Sequence, residues 1–266
     1  MSRRVTCTLF DGQRLRVVVP EIVGTDLRRN GLIEPVLTAV LVERLRPGMV
    51  FIDVGAHYGY FTVLAARRVW PSGSVVSFEP SRSTARLLEA NVAHLDNVVV
   101  EEAALTDRGG VTLLRDFGPG DSALNTTLPG ARVPARERRH LHGDAYEVRA
   151  VRLDDYVARR GLRPDVVKLD AEGAELRILS GMTTLLREAD PLVALETGDY
   201  AGMASPPTSA CIDLLATIGY SCLEARGTSL RPHRRRAAYG YGTLFFAKAG
   251  SRWSEGSAGV HPGVRE

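Results

Sequence analysis

Three short stretches place acids and glycines where a small ligand could be held. "FIDVGAHYGYF" (51–61) carries Asp53, then Gly55 and Gly59 with Ala56, His57 and Tyr58 between them. "SFEP" (77–80) carries Glu79, and "KLDAEGAE" (168–175) carries Asp170 and Glu172 behind Lys168. A fourth acid, Glu196, ends the apolar run "PLVALE" (191–196). Each acid closes a short apolar run, as expected of a strand whose carboxyl end opens on a ligand. The two glycines mark a tight turn that lets backbone approach that ligand, with a helix N-terminus aimed at the same place. A dinucleotide fingerprint needs G-x-G-x-x-G, because its middle glycine admits a pyrophosphate. The spacing here is G-x-x-x-G, and Asp53, two residues ahead of it, would repel that anion. Asp53 suits a ligand bringing a cation or donors, such as an α-amino group. Glu79 suits the two ribose hydroxyls of an adenosine. Together these residues point to S-adenosylmethionine rather than a nicotinamide cofactor.

Methyl transfer to oxygen is an in-line displacement, and a neutral alcohol must also lose its proton. Asp170 is the first candidate for the base or the substrate-orienting group; the competing reading makes it the cap of a helix that starts near Glu172. Glu196 faces the same cleft, and Lys168, alone in an apolar strand, is most cheaply satisfied by a neighbouring acid. Asp170, Glu172 and Glu196 could together hold a divalent cation such as Mg²⁺. No dedicated metal spacing accompanies them, so a metal-free site is expected. His140 and His142 lie in a polar loop, either as a base near its unperturbed pKa or as exposed loop residues.

The elements that must position these groups alternate. Residues 1–20 read as two strands around "FDGQ", and 34–45 as a helix stopped by Pro47-Gly48. Strands follow at 49–54, 73–80, 97–105, 165–170 and 191–196, with helices at 59–69, 81–95, 153–161, 172–182 and 208–220. "GGVTLLRD" (109–116) and "AYEVRAVRL" (145–153) read as paired strands flanking a variable loop, 117–144. "SCLEA" and "GTLFFAKA" are terminal strands. Alternating β and α units predict a doubly wound, mostly parallel α/β sheet. Seven strands are expected, the last inserted antiparallel at the C-terminal edge. The 266 residues divide into an N-terminal hairpin and helix (1–48), a cofactor-binding core (49–250) and a flexible Gly/Ser/Pro-rich tail (251–266).

At this point the sequence resembles a known family. "FIDVGAHYGYFTVLAA", "VVSFEPSRSTARLLEANVAHL", "NVVVEEAALTD", "VRLDDYV" and above all "VVKLDAEGAELRILSGM" resemble the FkbM-type S-adenosylmethionine-dependent O-methyltransferases. The resemblance runs over roughly residues 10–200. It implies the class I methyltransferase, Rossmann-like fold and an acceptor hydroxyl on a natural product or sugar. It implies that Asp53, Gly55, Ala56, His57 and Gly59 surround the methionine end of the cofactor and that Glu79 holds the ribose. Glu102 and Ala103 would lie near the adenine, and Glu34 near the carboxypropyl group. Ser122 and Asn125 match a polar stretch common in the family, and with His142 they would line the acceptor side. His57 is a departure, since many members carry Asn there; either side chain can hydrogen-bond.

The formal charge of +3 does not by itself argue for nucleic acid. Arginine supplies nearly all positive charge, since Lys168 and Lys248 are the chain's lysines, and it concentrates at 131–144 and 226–236. Those runs read either as solvated loops or as seats for an anionic partner. A nucleic-acid methyltransferase is the main alternative, yet base-modifying enzymes of this fold follow the fourth strand with Asn/Asp-Pro-Pro-aromatic. "LDAEGAE" has neither proline nor aromatic. A non-catalytic cofactor-binding protein is the other alternative. Cys7, Cys211 and Cys222 show no pairing or metal spacing, which fits a reducing, cytoplasmic compartment. Asp11, Arg14 and Arg16 interrupt any signal-peptide core, and no segment reaches the roughly 18 apolar residues of a membrane span. A small-molecule partner is expected, with no nucleic acid, no membrane and a homodimer as the assembly to test.

Overall fold

Short apolar runs alternate with amphipathic stretches along the chain, and nearly every one becomes a strand or helix in the computed structural model, which describes residues 2–128, 143–199 and 205–253. The chain opens with β1 (Arg3–Thr8) and β2 (Arg14–Val19), an antiparallel hairpin turning where Asp11-Gly12 was expected to turn it. Helix α1 (Ile22–Asn30) follows, an element absent from the sequence expectation although its signals are present. Glu21 caps it by accepting from the Gly24 amide at 2.7 Å, Arg28 and Arg29 fill its last turn, and Gly31 closes it with φ 64°. Helix α2 (Pro35–Arg44) starts on the proline that suits a first helical position.

The alternating core then runs β3 (Val50–Val54), α3 (Tyr60–Val69), β4 (Ser74–Phe78), α4 (Arg82–Val92) and β5 (Val98–Glu101). The strand expected at 97–105 breaks after Glu101, and β6 (Ala104–Leu105) leaves for another sheet. That sheet, ordered β6-β8-β7, is completed by the antiparallel pair β7 (Gly110–Asp116) and β8 (Asp144–Val151). Next come α5 (Leu153–Arg160), β9 (Val166–Leu169), α6 (Glu175–Ser180), the unforeseen α7 (Thr183–Glu188) and β10 (Leu192–Thr197). Helix α8 (Thr208–Thr217), β11 (Tyr220–Arg226), β12 (Ser229–Pro232) and β13 (Gly242–Lys248) complete the described fold.

The main sheet has eight strands, in the order β12-β11-β13-β10-β9-β3-β4-β5, rather than seven. The last strand is antiparallel as expected, but it lies between β10 and β11 and not at the edge. The reason is composition. "TLFFA" buries Leu244, Phe245, Phe246 and Ala247, which demands cover on both faces, whereas the half-exposed "SLRP" tolerates an open edge. The second arginine run, which reads either as a solvated loop or as a seat for an anionic partner, contains that edge strand.

Successive residues of the central strands feed two hydrophobic layers. Phe51, Val75 and Val166 pack with α2, α3, α4 and the N-terminal hairpin, while Ile52, Val76 and Val167 pack with α5 to α8. By that alternation Asp53, Ser77 and Lys168 all point toward the α3 layer, with Asp53 paired in register to both Ser77 and Lys168. Trp253, expected in a fraying tail, is 4 % exposed within the same layer; the remainder of that tail lies outside the described residues.

Helix α1 packs so tightly on β2 that a Cβ on Gly24 would sit 1.9 Å from the Val18 carbonyl oxygen. Gly24→Ala is therefore expected to destabilise the protein by about 1–3 kcal/mol, as overpacking does. A urea midpoint equal to that of the wild type would show that this contact gives way freely.

Candidate functional site

At the carboxyl ends of β3, β4, β9 and β10 lies a cavity of about 850 Å³. Helix α1 and the segment leading to α2 wall one side, and residues 117–128 cross the other. Its floor is the contact of two motifs distant in sequence. Gly55 has φ 68°, and a Cβ there would sit 1.8 Å from the Asp170 carbonyl oxygen, so only glycine lets the turn after β3 meet the turn after β9.

Beneath that contact lies an ion network. Lys168, 3 % exposed, places Nζ 3.0 Å from Asp170 Oδ2 and 3.6 Å from Asp53 Oδ1, and donates to the Val54 and Gly55 carbonyls at 3.4 and 3.3 Å. Burial works against its charge, but Asp170 and Asp53 outweigh burial and hold the ammonium above its ordinary range. Asp53 accepts from the Thr62 hydroxyl at 2.6 Å, and that hydroxyl also meets Ser77 Oγ at 2.8 Å. Burial pushes the Asp53 carboxyl up, with Lys168 offsetting only part of the effect. Asp53 is 0 % exposed and does not line the cavity. Its expected role as direct partner of an α-amino group is thereby corrected: strand alternation turns it beneath the turn.

Asp170 is not a helix cap, since α6 begins later and uses no side-chain cap. Glu175 instead holds the loop, accepting from the amides of Ala171 at 2.8 Å and Gly173 at 3.2 Å. Asp170, Glu172 and Glu196 bring carboxyl oxygens within 4.8 Å of one another on the cavity wall. Burial opposes charge on all three, yet Lys168 holds Asp170 below the usual carboxylate range. Burial and the neighbouring Asp170 push Glu172 and Glu196 well above it, and Glu196 hydrogen-bonds to Asp170. Lys168 already supplies a cation to this cluster, which works against a divalent ion there.

Glu79 accepts from the His57 amide at 2.9 Å and the Ser81 amide at 3.0 Å, while burial pushes its carboxyl up to about 7. His57 Nε2 lies 2.8 Å from Ser122 Oγ, which Tyr58 Oη also reaches at 3.1 Å. Burial pushes the His57 imidazole down to about 3, leaving the ring neutral. Glu34 stands at the start of α2, accepts from the Thr243 hydroxyl at 3.3 Å and is pushed up to about 7 by burial and then by Asp170. Glu34, His57 and Glu172 all have positive φ (41°, 51° and 50°), and such strain in non-glycine residues gathers at functional sites.

The profile of the methyltransferase FkbM domain matches residues 53–222. The chain belongs to the FkbM methyltransferase family. It is 32% identical over 165 residues to 31-O-demethyl-FK506 methyltransferase FkbM of Streptomyces tacrolimicus, a match spanning 52% of this chain and 61% of that relative. It is 27% identical over 194 residues to the 2-O-methyltransferase NoeI of Sinorhizobium fredii, covering 68% of this chain and 77% of NoeI. The chain thus spans less than two thirds of the first of these relatives. Among solved structures it is similar to methyltransferase FkbM from Methylobacillus flagellatus, with 17% identity, a TM-score of 0.47, and coverage of 76% of this chain and 44% of that one.

As an FkbM methyltransferase the chain uses S-adenosylmethionine, and the cavity fits it. Glu79 keeps acceptor capacity beyond its two amides for ribose hydroxyls, and Glu34 offers a carboxylate to a cationic amine. Asn125 Oδ1 accepts from the Phe117 amide at 2.8 Å, while its buried Nδ2 has no hydrogen-bond partner among the described residues and can donate to a ligand. Gly55, Ala56, His57, Glu79, Ala103, Ser122 and Asn125 all line the cavity. Gly59 instead opens α3 with φ 88° and does not line it. Glu102 also stands outside, its side chain 45% exposed beside Arg82 Nε at 3.6 Å. His140 and His142 lie outside the described residues. Tyr58, Tyr241 and the α1 wall were missed; α1 had capping signals, but nothing local marks the two tyrosines.

Glu34 and Glu79 are both raised from 4.5 to about 7 in the folded chain, so each contributes stability that is present below about pH 4.5 and lost as pH rises through about 7. The ligand-free protein should therefore melt at lower temperature as pH rises across that window. Glu79→Gln should flatten the curve, and thermal midpoints that fall as steeply in the variant would contradict this origin.

Proposed function

We propose that this methyltransferase transfers a methyl group to a hydroxyl of a small-molecule acceptor, a natural product or sugar. The observation that carries this reading is the carboxyl cluster of Asp170, Glu172 and Glu196 on the wall of the cofactor cavity. A hydroxyl must give up a proton as it is methylated, and a carboxylate beside it contributes typically ~10²–10⁴-fold by taking that proton. S-adenosylmethionine, when bound, supplies an electrophilic methyl group on a sulfonium. The residues of the chain do the rest. Gly55 and the His57 amide shape the seat, Glu79 and Glu34 orient the ligand's hydroxyls and amine, and the strap bearing Ser122 and Asn125 excludes water. Asp170, held low by Lys168, accepts the acceptor's proton, while Glu196, pushed well above the usual range, hydrogen-bonds to it.

The activities of two relatives, a 31-O-demethyl-FK506 methyltransferase and a 2-O-methyltransferase, support oxygen as the atom methylated. The nucleic-acid reading has less support. Arg226, Arg235 and Arg236 of the second arginine run are occupied by Glu224 and Asp213, and the first run lies mostly outside the described residues. No helix among the described residues is long and apolar enough to cross a membrane, and the three cysteines are free thiols. Both suit the cytoplasmic location that belongs to this proposal.

The test is methyl-labelled S-adenosylmethionine offered with a panel of hydroxyl-bearing acceptors, reading the product's methyl carbon by NMR. A methoxy signal is expected, and methylation of nitrogen or carbon would overturn the reading. With an acceptor in hand, Asp170→Asn should lower turnover by ~10²–10⁴-fold, as loss of a base does, with S-adenosylhomocysteine still bound. Equal loss of binding and turnover would remove Asp170 from the base role.

A further inference from the structure

Lysine usually buries its stem and leads its ammonium to water. Lys168 keeps its ammonium inside, at 3 % exposure. An ammonium has three N–H groups, and here they face Asp170 at 3.0 Å and the carbonyls of Val54 and Gly55 at 3.4 and 3.3 Å, with Asp53 at 3.6 Å. The face of Phe61, its centroid 5.3 Å from Nζ, closes the remaining side. The side chain thus joins two segments that belong to different parts of the chemistry: the glycine turn at the cofactor, and the carboxylate at the acceptor. The register of β3 against β9 sets Lys168 opposite Asp53, and the backbone contact of Gly55 with Asp170 leaves the two turns no slack.

Building on the S-adenosylmethionine reading, we propose that Lys168 is a positioning residue of the methyl-transfer site, clamping the glycine turn that seats the methyl donor to the carboxylate of Asp170 on the acceptor side. Its charge matters as much as its reach. Asp170 is faced by Asp53 from β3, His57 from the turn, Glu34 from the start of α2, Glu196 from β10, and Glu172 and Glu175 from its own loop and α6. All are acids except His57, whose ring is neutral. Lys168 is the cation at hydrogen-bond distance from Asp170 among the described residues. Without it Asp170 would sit among acids in a buried place and take up a proton, losing its ability to accept one from a hydroxyl.

The test needs no acceptor. Aspartate labelled with carbon-13 at the carboxyl is titrated by NMR, with the Asp170 signal assigned through Asp170→Asn, and S-adenosylhomocysteine binding is measured by calorimetry. In the wild type Asp170 should titrate below the usual carboxylate range. In Lys168→Gln it should titrate at or above that range, and the dissociation constant should rise about tenfold, the effect of losing one hydrogen bond to a charged group. Lys168→Arg, which keeps the charge, should leave Asp170 low. An unchanged Asp170 titration or an unchanged affinity in Lys168→Gln would overturn the proposal. Should that variant fail to fold, the wild type decides, since an Asp170 titrating at or above the usual range overturns it alone. A wild type that binds no S-adenosylhomocysteine would refute the cofactor reading and the clamp with it; binding that ignores Lys168→Gln would refute the clamp only.

Discussion

The ammonium of Lys168 is buried at the centre of the main sheet, among strands whose other inward side chains are mostly apolar. Burying it is tolerable only because Asp170, Asp53 and two carbonyl oxygens surround it, and removing one partner of such a buried pair typically costs about 3–5 kcal/mol. That constraint propagates. Asp53 must occupy the register position opposite Lys168, Thr62 must reach back from α3 to share Asp53, and Ser77 must complete the row from β4. The turn after β3 cannot shift without breaking the same contacts, so the cavity floor is held from below.

The cavity's chemistry follows from unequal treatment of similar groups. Asp170, Glu172 and Glu196 are carboxyls of one cluster, yet Lys168 holds Asp170 below the usual carboxylate range while burial and Asp170's own charge push Glu172 and Glu196 well above it. Pairs of titratable groups whose environments push them apart are the mark of assigned acid and base roles. Glu34 and Glu79, both near 7, stand ready to ionise when a cationic, hydroxyl-rich ligand enters. Three of the four non-glycine residues with positive φ among the described residues, Glu34, His57 and Glu172, stand on this wall, where surrounding packing can hold them; the fourth is Asp190.

Much of this was legible in the residues. Short apolar runs closing on Asp53, Glu79, Asp170 and Glu196 located the ligand-facing end of the sheet, because strand ends in doubly wound folds are where ligands bind. The glycine spacing excluded a pyrophosphate, and the lone lysine required an acid. Errors arose where a neighbour across space decides. Asp53 had the right position along the strand but the wrong face, since period-2 alternation and the α3 layer, not its proximity to the glycines, set its direction. Glu102 follows a strand that ends one residue earlier and faces Arg82 in solvent. The arginine run at 226–236 read as loop by composition, yet it pairs as an edge strand because β11 offers an open side.

By itself the sequence determined the alternation of strands and helices in the core, the glycine turn, the acids at strand ends and, through the family they resemble, the methyl donor. These depend on local periodicity, turn chemistry and residue type, which short stretches carry whole. Only the tertiary structure decided that Gly55 touches the backbone of Asp170, that Lys168 ties both to Asp53, and that Asp170 is held low while Glu172 and Glu196 are pushed up. Charge state and partnership inside a protein are set by distance and burial, and those come from strand order and register, which no single stretch of sequence contains.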